Sequence, residues 1–418
     1  MKKNISSISW SLYGQGGRLV FQTGYILSLA FILGPREYGI YISIGALIII
    51  LGPFCGVGFN SLLTKVISTD LKRFPTVFGS AIKITVYSYI LLLIFGITIV
   101  LLLYEFSIDT IILFFILSIA DLLLLKFSEM AAQIFISKGE VKISAHIQNL
   151  ISVTRFASVG VYYILTKEQY ILENINYWAF IYLFFSFILF VFISIYTIQK
   201  NDLPVFKGRI NIDDVKEGIF YSIGLSSQGV YNDIDKTLMG KYSSMETTGF
   251  YGFAYKMMDI LFIPVKAVLA IAFPKFFKIG SSQGILGTAK LSRKLLKYSL
   301  IYNFVICLIA FYTVPYILEN LLNGIYFEST VLFQLLLPIV FLRNIHYIFA
   351  DALTGAGYQK ERSFIQISVA SINFVLSLYF ISKFDVYGAI IVSIFSDLIM
   401  VILILLLVKF KTIKEKGG

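Results

Sequence analysis

Hydrophobic positions along this chain come in long blocks separated by short polar breaks, without the short periods of a soluble fold. Apolar windows near the ~20 residues that cross a hydrocarbon core as a helix recur from end to end. Twelve such windows cover about 9–33, 41–64, 77–103, 108–136, 143–165, 177–198, 217–240, 249–274, 298–318, 329–353, 363–382 and 387–408. Runs such as "YILLLIFGITIVLLL", beginning at Tyr89, lack the alternation of barrel strands, so helices are the predicted spanning elements. The expected fold class is all-α integral membrane, with about twelve transmembrane helices.

The longest polar break between helices six and seven, "QKNDLPVFKGRINIDDVKEG" (Gln199 to Gly218), lies near mid-chain. It divides the chain into an N-terminal six-helix bundle (1–198), a linker (199–216) and a C-terminal six-helix bundle (217–418). Sliding the sequence by 210 residues sets Gly39 on Gly249, Tyr41 on Tyr251 and Lys65 on Lys275. An even number of helices per half preserves orientation, so this offset reads as a parallel repeat, a plan used by transporters that bind substrate between their halves.

Charge adds the topology. Of 35 Lys and Arg residues, 23 fall on the side of the N-terminus, four (Arg36, Lys167, Lys241 and Lys383) on the other, and eight within the windows. The positive-inside rule then places both termini and the linker in the cytoplasm. The net charge of +11 is accounted for by this asymmetry and by contact with anionic lipid, and makes no case for nucleic acid. The segment Pro274 to Lys297, with six basic residues, is expected to form an amphipathic helix on the inner leaflet. The polar N-terminus lacks a signal-peptide core. Cys55 and Cys307, far apart in apolar windows, read as packing residues, and no metal-ligand cluster or exposed catalytic constellation is seen. No cofactor is expected.

A charge inside a bilayer costs roughly 2.5 to 3.5 kcal/mol on insertion scales, so charged residues within the windows are candidates for function. In the first window Gln15, Arg18 and Gln22 share a helix face, beside Gly14, Gly16 and Gly17, which permit close helix contact. Arg155 and Arg343 sit near the middle of the fifth and tenth windows. A guanidinium is always charged and presents a fork of donors suited to phosphate oxygens, so Arg18, Arg155 and Arg343 are candidates for a cationic cavity that takes a pyrophosphate. The alternative for each is a structural pair with an acid such as Asp121, Glu129 or Asp351. Lys126 with Glu129 has the spacing of such a pair. In "GVYNDIDKTLMGKY" (Gly229 to Tyr242), Asn232, Asp233, Asp235 and Lys236 fall on one polar arc of a helix, expected to face a cavity. Asp233 pairs with Lys236 and Lys256 with Asp259 by i,i+3 spacing, which leaves Asp235 without a local cation. Asp235, with Asp233, Asp259 and His346, is therefore a candidate for ion coupling; Lys256 on a neighbouring helix is the alternative partner for Asp235.

The stretch "NDIDKTLMGKYSSMETTGFYGFAYKMMDILFIPVKAVLAIAFPKF", from Asn232 to Phe276, resembles helices seven and eight of the Wzx-type polysaccharide repeat-unit flippases. These belong to the multidrug/oligosaccharidyl-lipid/polysaccharide (MOP) exporter superfamily, with the MATE exporters. The resemblance implies a MATE-like, V-shaped pair of bundles in the bacterial inner membrane. It also implies alternating access that moves an undecaprenyl-pyrophosphate-linked oligosaccharide outward for O-antigen, capsule or another surface polysaccharide, driven by proton or sodium antiport and acting beside other polysaccharide assembly proteins. On this reading Arg18, Arg155, Arg343, Lys236, Lys256, Gln15, Gln22 and Asn232 line the substrate cavity, and the chain is no enzyme. Two other functions are compatible with the sequence: a MATE-like exporter of small organic cations, and a polytopic polysaccharide polymerase or ligase, against which the short outer loops argue.

Overall fold

The structure is a computed structural model that describes residues 2–104, 107–170, 174–201, 208, 210–320 and 324–417, with side chains for all of these except 2–9, 11, 12, 15, 68, 69, 416 and 417. The Gln15 side chain and most of the polar break at 202–209 therefore lie outside what is described. Among the described residues every regular element is helical. The helical run Lys2–Leu51 is broken at Gly34 (φ 70°, ψ 173°), just before Pro35; Met245–Asn320 is broken at Gly284 (φ 57°, ψ −151°), and Gln359–Gly417 at Asp385 (φ 52°, ψ −135°). With these breaks the helices follow the order of the apolar windows. Among the described residues, seven helical stretches are long and apolar enough to cross a membrane. Val141–Lys167 and Ile212–Tyr242 are long but more polar, and they carry Arg155 and the Asn232–Lys236 cluster.

Two windows are not simple helices. The second is interrupted between Leu51 and Phe59, where Pro53 starts a short 3-10 turn and Gly56, Val57 and Gly58 take positive φ. Gly58 lets the chain press against the Gly218 carbonyl, with no room for a side chain. The fourth passes through a π-helical turn, Ile119–Leu124, a local widening often found at functional sites; here it carries Asp121. The expected surface helix at 274–297 is absent as a separate element. Its basic residues instead lie on the ends of two long helices that meet at Gly284, where glycine takes the positive φ that breaks the helical run.

The chain forms two compact units, residues 1–33 with 40–229 and residues 34–39 with 230–418. The first is built around Phe59, Leu63, Phe74, Phe78, Ile84 and Ile134. Its break at 52–58 is tied by Ser222 Oγ to the Pro53 carbonyl (2.8 Å) and by Ser226 Oγ to the Ile50 carbonyl (2.9 Å). The second is built around Ile285, Phe349, Leu353, Val369, Met400 and Ile404. In it Gly39 packs on the Met245 carbonyl and Gly249 on the Pro35 carbonyl, each too tightly for a Cβ.

Candidate functional site

Each unit holds a cluster of polar groups among apolar helices, and the two are built differently. In the first unit a cavity of about 300 Å³ is lined by Arg18, Gln22, Asn60, Glu129, Gln133, Gln148, Ser152 and Arg155. The spacing explains the lining. Arg18 and Gln22 are one turn apart on the first helix, Glu129 and Gln133 on Leu125–Ser137, and Gln148, Ser152 and Arg155 on Val141–Lys167, so each helix presents one polar stripe. The stripes converge.

Arg155 is held at its base. Its Nη2 donates to Asp121 Oδ1 at 2.6 Å and its Nε to the Tyr182 hydroxyl at 2.9 Å, while Tyr182 donates to the same Asp121 oxygen at 2.5 Å. Lys126 pairs with Glu129 at 3.6 Å, leaving the Glu129 carboxylate about half exposed. Gln133 donates to Thr64 Oγ1 at 2.7 Å. Arg18 is exposed and makes no ion pair among the described residues. The cavity thus offers one unneutralised guanidinium, a second guanidinium fixed in direction, and amides and hydroxyls around them. Such a set can grip an anion and hydrogen-bond a neutral polyol. Gly14 and Gly17 sit against Ala145 and Asn149 with no space for a Cβ, which brings the first helix close enough to Val141–Lys167 for this.

In the second unit the charges are buried. Arg343, 4% exposed, reaches Asp259 Oδ1 at 3.1 Å and Asn232 Oδ1 at 3.5 Å, and donates to the Tyr255 hydroxyl. Its Nε stands 3.5 Å from Asp397 Oδ2, an ion pair without hydrogen-bond alignment. Asp397 is also met by His346 Nε2 at 2.9 Å and by the Tyr231 hydroxyl. Lys236, 1% exposed, contacts Asp235 Oδ1 at 3.1 Å, Asp233 Oδ1 at 3.2 Å and the Asn232 carbonyl at 2.5 Å, and lies 3.7 Å from the centre of the Tyr255 ring. Tyr251 donates to Asp235 Oδ2 at 2.5 Å, and Ser393 lies 3.4 Å from that oxygen. Arg343 and Lys236 between them contact four carboxylates here, and Lys256 and Lys266 act on Asp259 at longer range.

Several expectations change with this geometry. The polar arc of Ile212–Tyr242 does not line an open cavity at Asp235 and Lys236; both are buried. Asp235 is not without a cation, since its own chain neighbour Lys236 folds back onto it, a contact that i,i+3 and i,i+4 spacing does not reveal. Lys256 takes up neither Asp235 nor Asp259 as an ion-pair partner among the described residues; it acts on Asp259 only at longer range, because Arg343 occupies that carboxylate. Asp351 pairs with Arg362 at 3.7 Å and leaves Arg343 to Asp259 and Asp397. The Asp233–Lys236 and Lys126–Glu129 pairs stand as spaced. Arg18, Arg155 and Gln22 share the first unit's cavity, while Arg343, Lys236, Asn232, Asp233, Asp235, Asp259 and His346 belong to the second unit's network. Sequence reasoning missed Asp397, although a lone acid in the apolar run 387–408 is the signal that marks it. It also missed Gln133, Gln148 and Asn60, whose amides fall inside apolar windows.

No family model and no curated protein matches the sequence. Among solved structures, an inward-facing multidrug resistance MATE family transporter of the MOP superfamily is similar over 97% of this chain and 99% of its own, with a TM-score of 0.78 at 12% identity. The lipid II flippase MurJ, in an inward closed conformation, is similar over 96% of this chain and 87% of its own, with a TM-score of 0.74 at 15% identity. A MOP superfamily transporter from Pyrococcus furiosus, described as having a binding pocket of reverse polarity, follows at 0.64 and 11%, over 98% and 96% of the two chains. The class defined by the architecture is thus a multi-pass, all-helical membrane protein. Its fold is that of the MATE and MOP superfamily transporters.

Proposed function

We propose that this protein is a flippase that carries an undecaprenyl-pyrophosphate-linked oligosaccharide across the bacterial inner membrane. In this reading two six-helix bundles, 1–198 and 217–418, are joined by a cytoplasmic segment at 199–216, and both termini are cytoplasmic. The observation that carries it is the first unit's cavity, where Arg18 is unpaired among the described residues and Arg155 is aimed by Asp121 and Tyr182. A diphosphate is an anion that such a fork binds in two-point fashion, and the surrounding Gln22, Asn60, Gln133 and Gln148 suit sugar hydroxyls. The likeness in fold to a lipid II flippase supports a lipid-linked cargo.

The second unit supplies the coupling. Four carboxylates in contact with Arg343 and Lys236, with Lys256 and Lys266 acting on Asp259 at longer range, form a buried charge cluster whose balance a proton or a sodium ion shifts. Asp235, Asp233, Asp259 and His346 are the groups we assign to that exchange, with Asp397 at its centre. The test is reconstitution in liposomes with a fluorescent lipid-linked oligosaccharide, scoring its exposure to an impermeant reagent. Wild-type protein should translocate the lipid and Arg18→Ala should not, while a small organic cation should be left behind by both. Translocation at the wild-type rate by Arg18→Ala sinks the reading; export of the organic cation instead makes the protein a drug exporter.

A further inference from the structure

We infer a second binding site in the first unit, for one acyl chain of an anionic glycerophospholipid. An apolar cavity of about 270 Å³ lies among the helices Phe74–Leu103, Leu125–Ser137 and Ile175–Asn201, with Phe78, Phe127, Met130, Ala131, Phe190 and Thr197 in its wall. Its rim at Val86 is exposed on an apolar face that also carries Tyr87 and Ile90. In a bilayer such a face meets lipid, and a chain entering the cavity exchanges one hydrocarbon surrounding for a better-packed one. The wall helix Leu125–Ser137 turns Phe127, Met130 and Ala131 into this cavity and Glu129 and Gln133 into the polar cavity on its other side, so the two sites are separate.

Two polar features say which lipid fits. Thr197 is 3% exposed and its hydroxyl has no hydrogen-bond partner among the described residues, although it lies in the apolar wall. A buried hydroxyl left so costs free energy unless a ligand supplies an acceptor, and the ester carbonyl of a glycerolipid is one; a polyprenyl phosphate has no ester carbonyl, and its acceptors are all on the phosphate. At the same end, the Asn201 amide donates to the Thr197 carbonyl at 2.9 Å and its oxygen accepts from Lys138 Nζ at 2.6 Å, while Lys138 stands 4.6 Å over the Phe74 ring that packs on Phe78. Lys138 is thereby held beside the Phe74–Phe78 wall, at the Thr197 end of the cavity, with donors to spare for a lipid phosphate. Lys200, by contrast, is taken by Glu140.

The experiment uses full-length protein in nanodiscs holding trace phosphatidylglycerol or phosphatidylcholine with the same photoreactive acyl chain, read by mass spectrometry of the labelled peptides. Phosphatidylglycerol should label the peptides bearing Phe78, Met130 and Thr197 about fivefold more than phosphatidylcholine, the factor one lysine's attraction to an anionic head supplies. Lys138→Gln should remove that preference. Ala131→Phe, which fills the cavity, should abolish the labelling while leaving the elution volume and melting temperature unchanged; if it misfolds, Thr197→Val provides the second test and should lower the labelling. Equal labelling by both lipids, labelling untouched by both cavity variants, or displacement by undecaprenyl phosphate at equimolar amount overturns the assignment. None of these readouts measures translocation, so their failure leaves the proposed transport function standing.

Discussion

The polar cavity of the first unit and the buried network of the second both set arginines beside carboxylates and tyrosines, and use them oppositely. In the cavity Arg18 faces open space and Arg155 is supported from behind by a carboxylate and a phenol. In the network Arg343 and Lys236 spend their donors on protein groups. An open guanidinium is available to a ligand and contributes little to folding, whereas one buried among carboxylates is bound up with folding and available only to a small ion. Position along the chain does not separate these cases. What separates them is how many acids the neighbouring helices present.

The comparison breaks most sharply at Arg343. Arg343→Ala strands Asp397 and Asp259, and removing one partner of a buried pair costs about 3–5 kcal/mol. Thermal unfolding in detergent should show a large drop, partly recovered in Arg343→Ala with Asp397→Ala. Arg18→Ala should alter stability by no more than about 0.5 kcal/mol and abolish surface polysaccharide. A stable Arg343→Ala beside an unfolded Arg18→Ala would reverse the two roles.

Asp235→Asn comes next in size. It keeps an acceptor for the Tyr251 hydroxyl but removes the charge that holds Lys236, so we expect a folded protein that binds lipid-linked oligosaccharide and no longer responds to an ion gradient. Normal gradient dependence in that variant would return Asp235 to a packing role. If the variant is unstable and Lys236→Met restores it, the pair is structural. A smaller effect is expected from Arg18→Lys, which retains the charge but loses the fork: translocation should fall about tenfold without vanishing. Gln133→Ala or Gln148→Ala should each cost about 1 kcal/mol of binding, the net worth of one hydrogen bond, read as a severalfold rise in the half-saturating substrate concentration. The smallest concerns the exposed pair Lys65–Glu217 (2.8 Å). The Glu217 hydrogen bond raises the Lys65 ammonium above its ordinary range, so any stabilisation is complete at neutral pH and is lost only as pH rises through that higher value. Lys65→Met should leave the melting temperature at pH 7 nearly unchanged, as exposed pairs do.

The helices were legible because bilayer length and apolarity act locally, residue by residue. The windows around Arg155 and Lys236 were legible for the opposite reason, as polar interruptions that demand partners. The partners themselves were not. Asp121 reaches Arg155 across 34 positions and Asp397 reaches His346 across 51, and no helical periodicity carries such information. Helical spacing also favoured Lys256 for Asp259, but the packing of Ser329–Gly355 brings Arg343 to it first. The break at 52–58 could be foreseen at Pro53 and the glycines, while the positive φ of Val57 could not.

The contacts of Gly39 and Gly249 carry a consequence for how this sequence can change. Gly39 abuts Met245 while Gly249 abuts Pro35, and Gly39 with Gly249, like Pro35 with Met245, are 210 positions apart, the sequence offset found earlier. Each glycine is therefore the other's neighbour and also its counterpart at that offset. A methyl group acquired at one site meets a backbone that only the facing helix can yield, so neither position can drift alone.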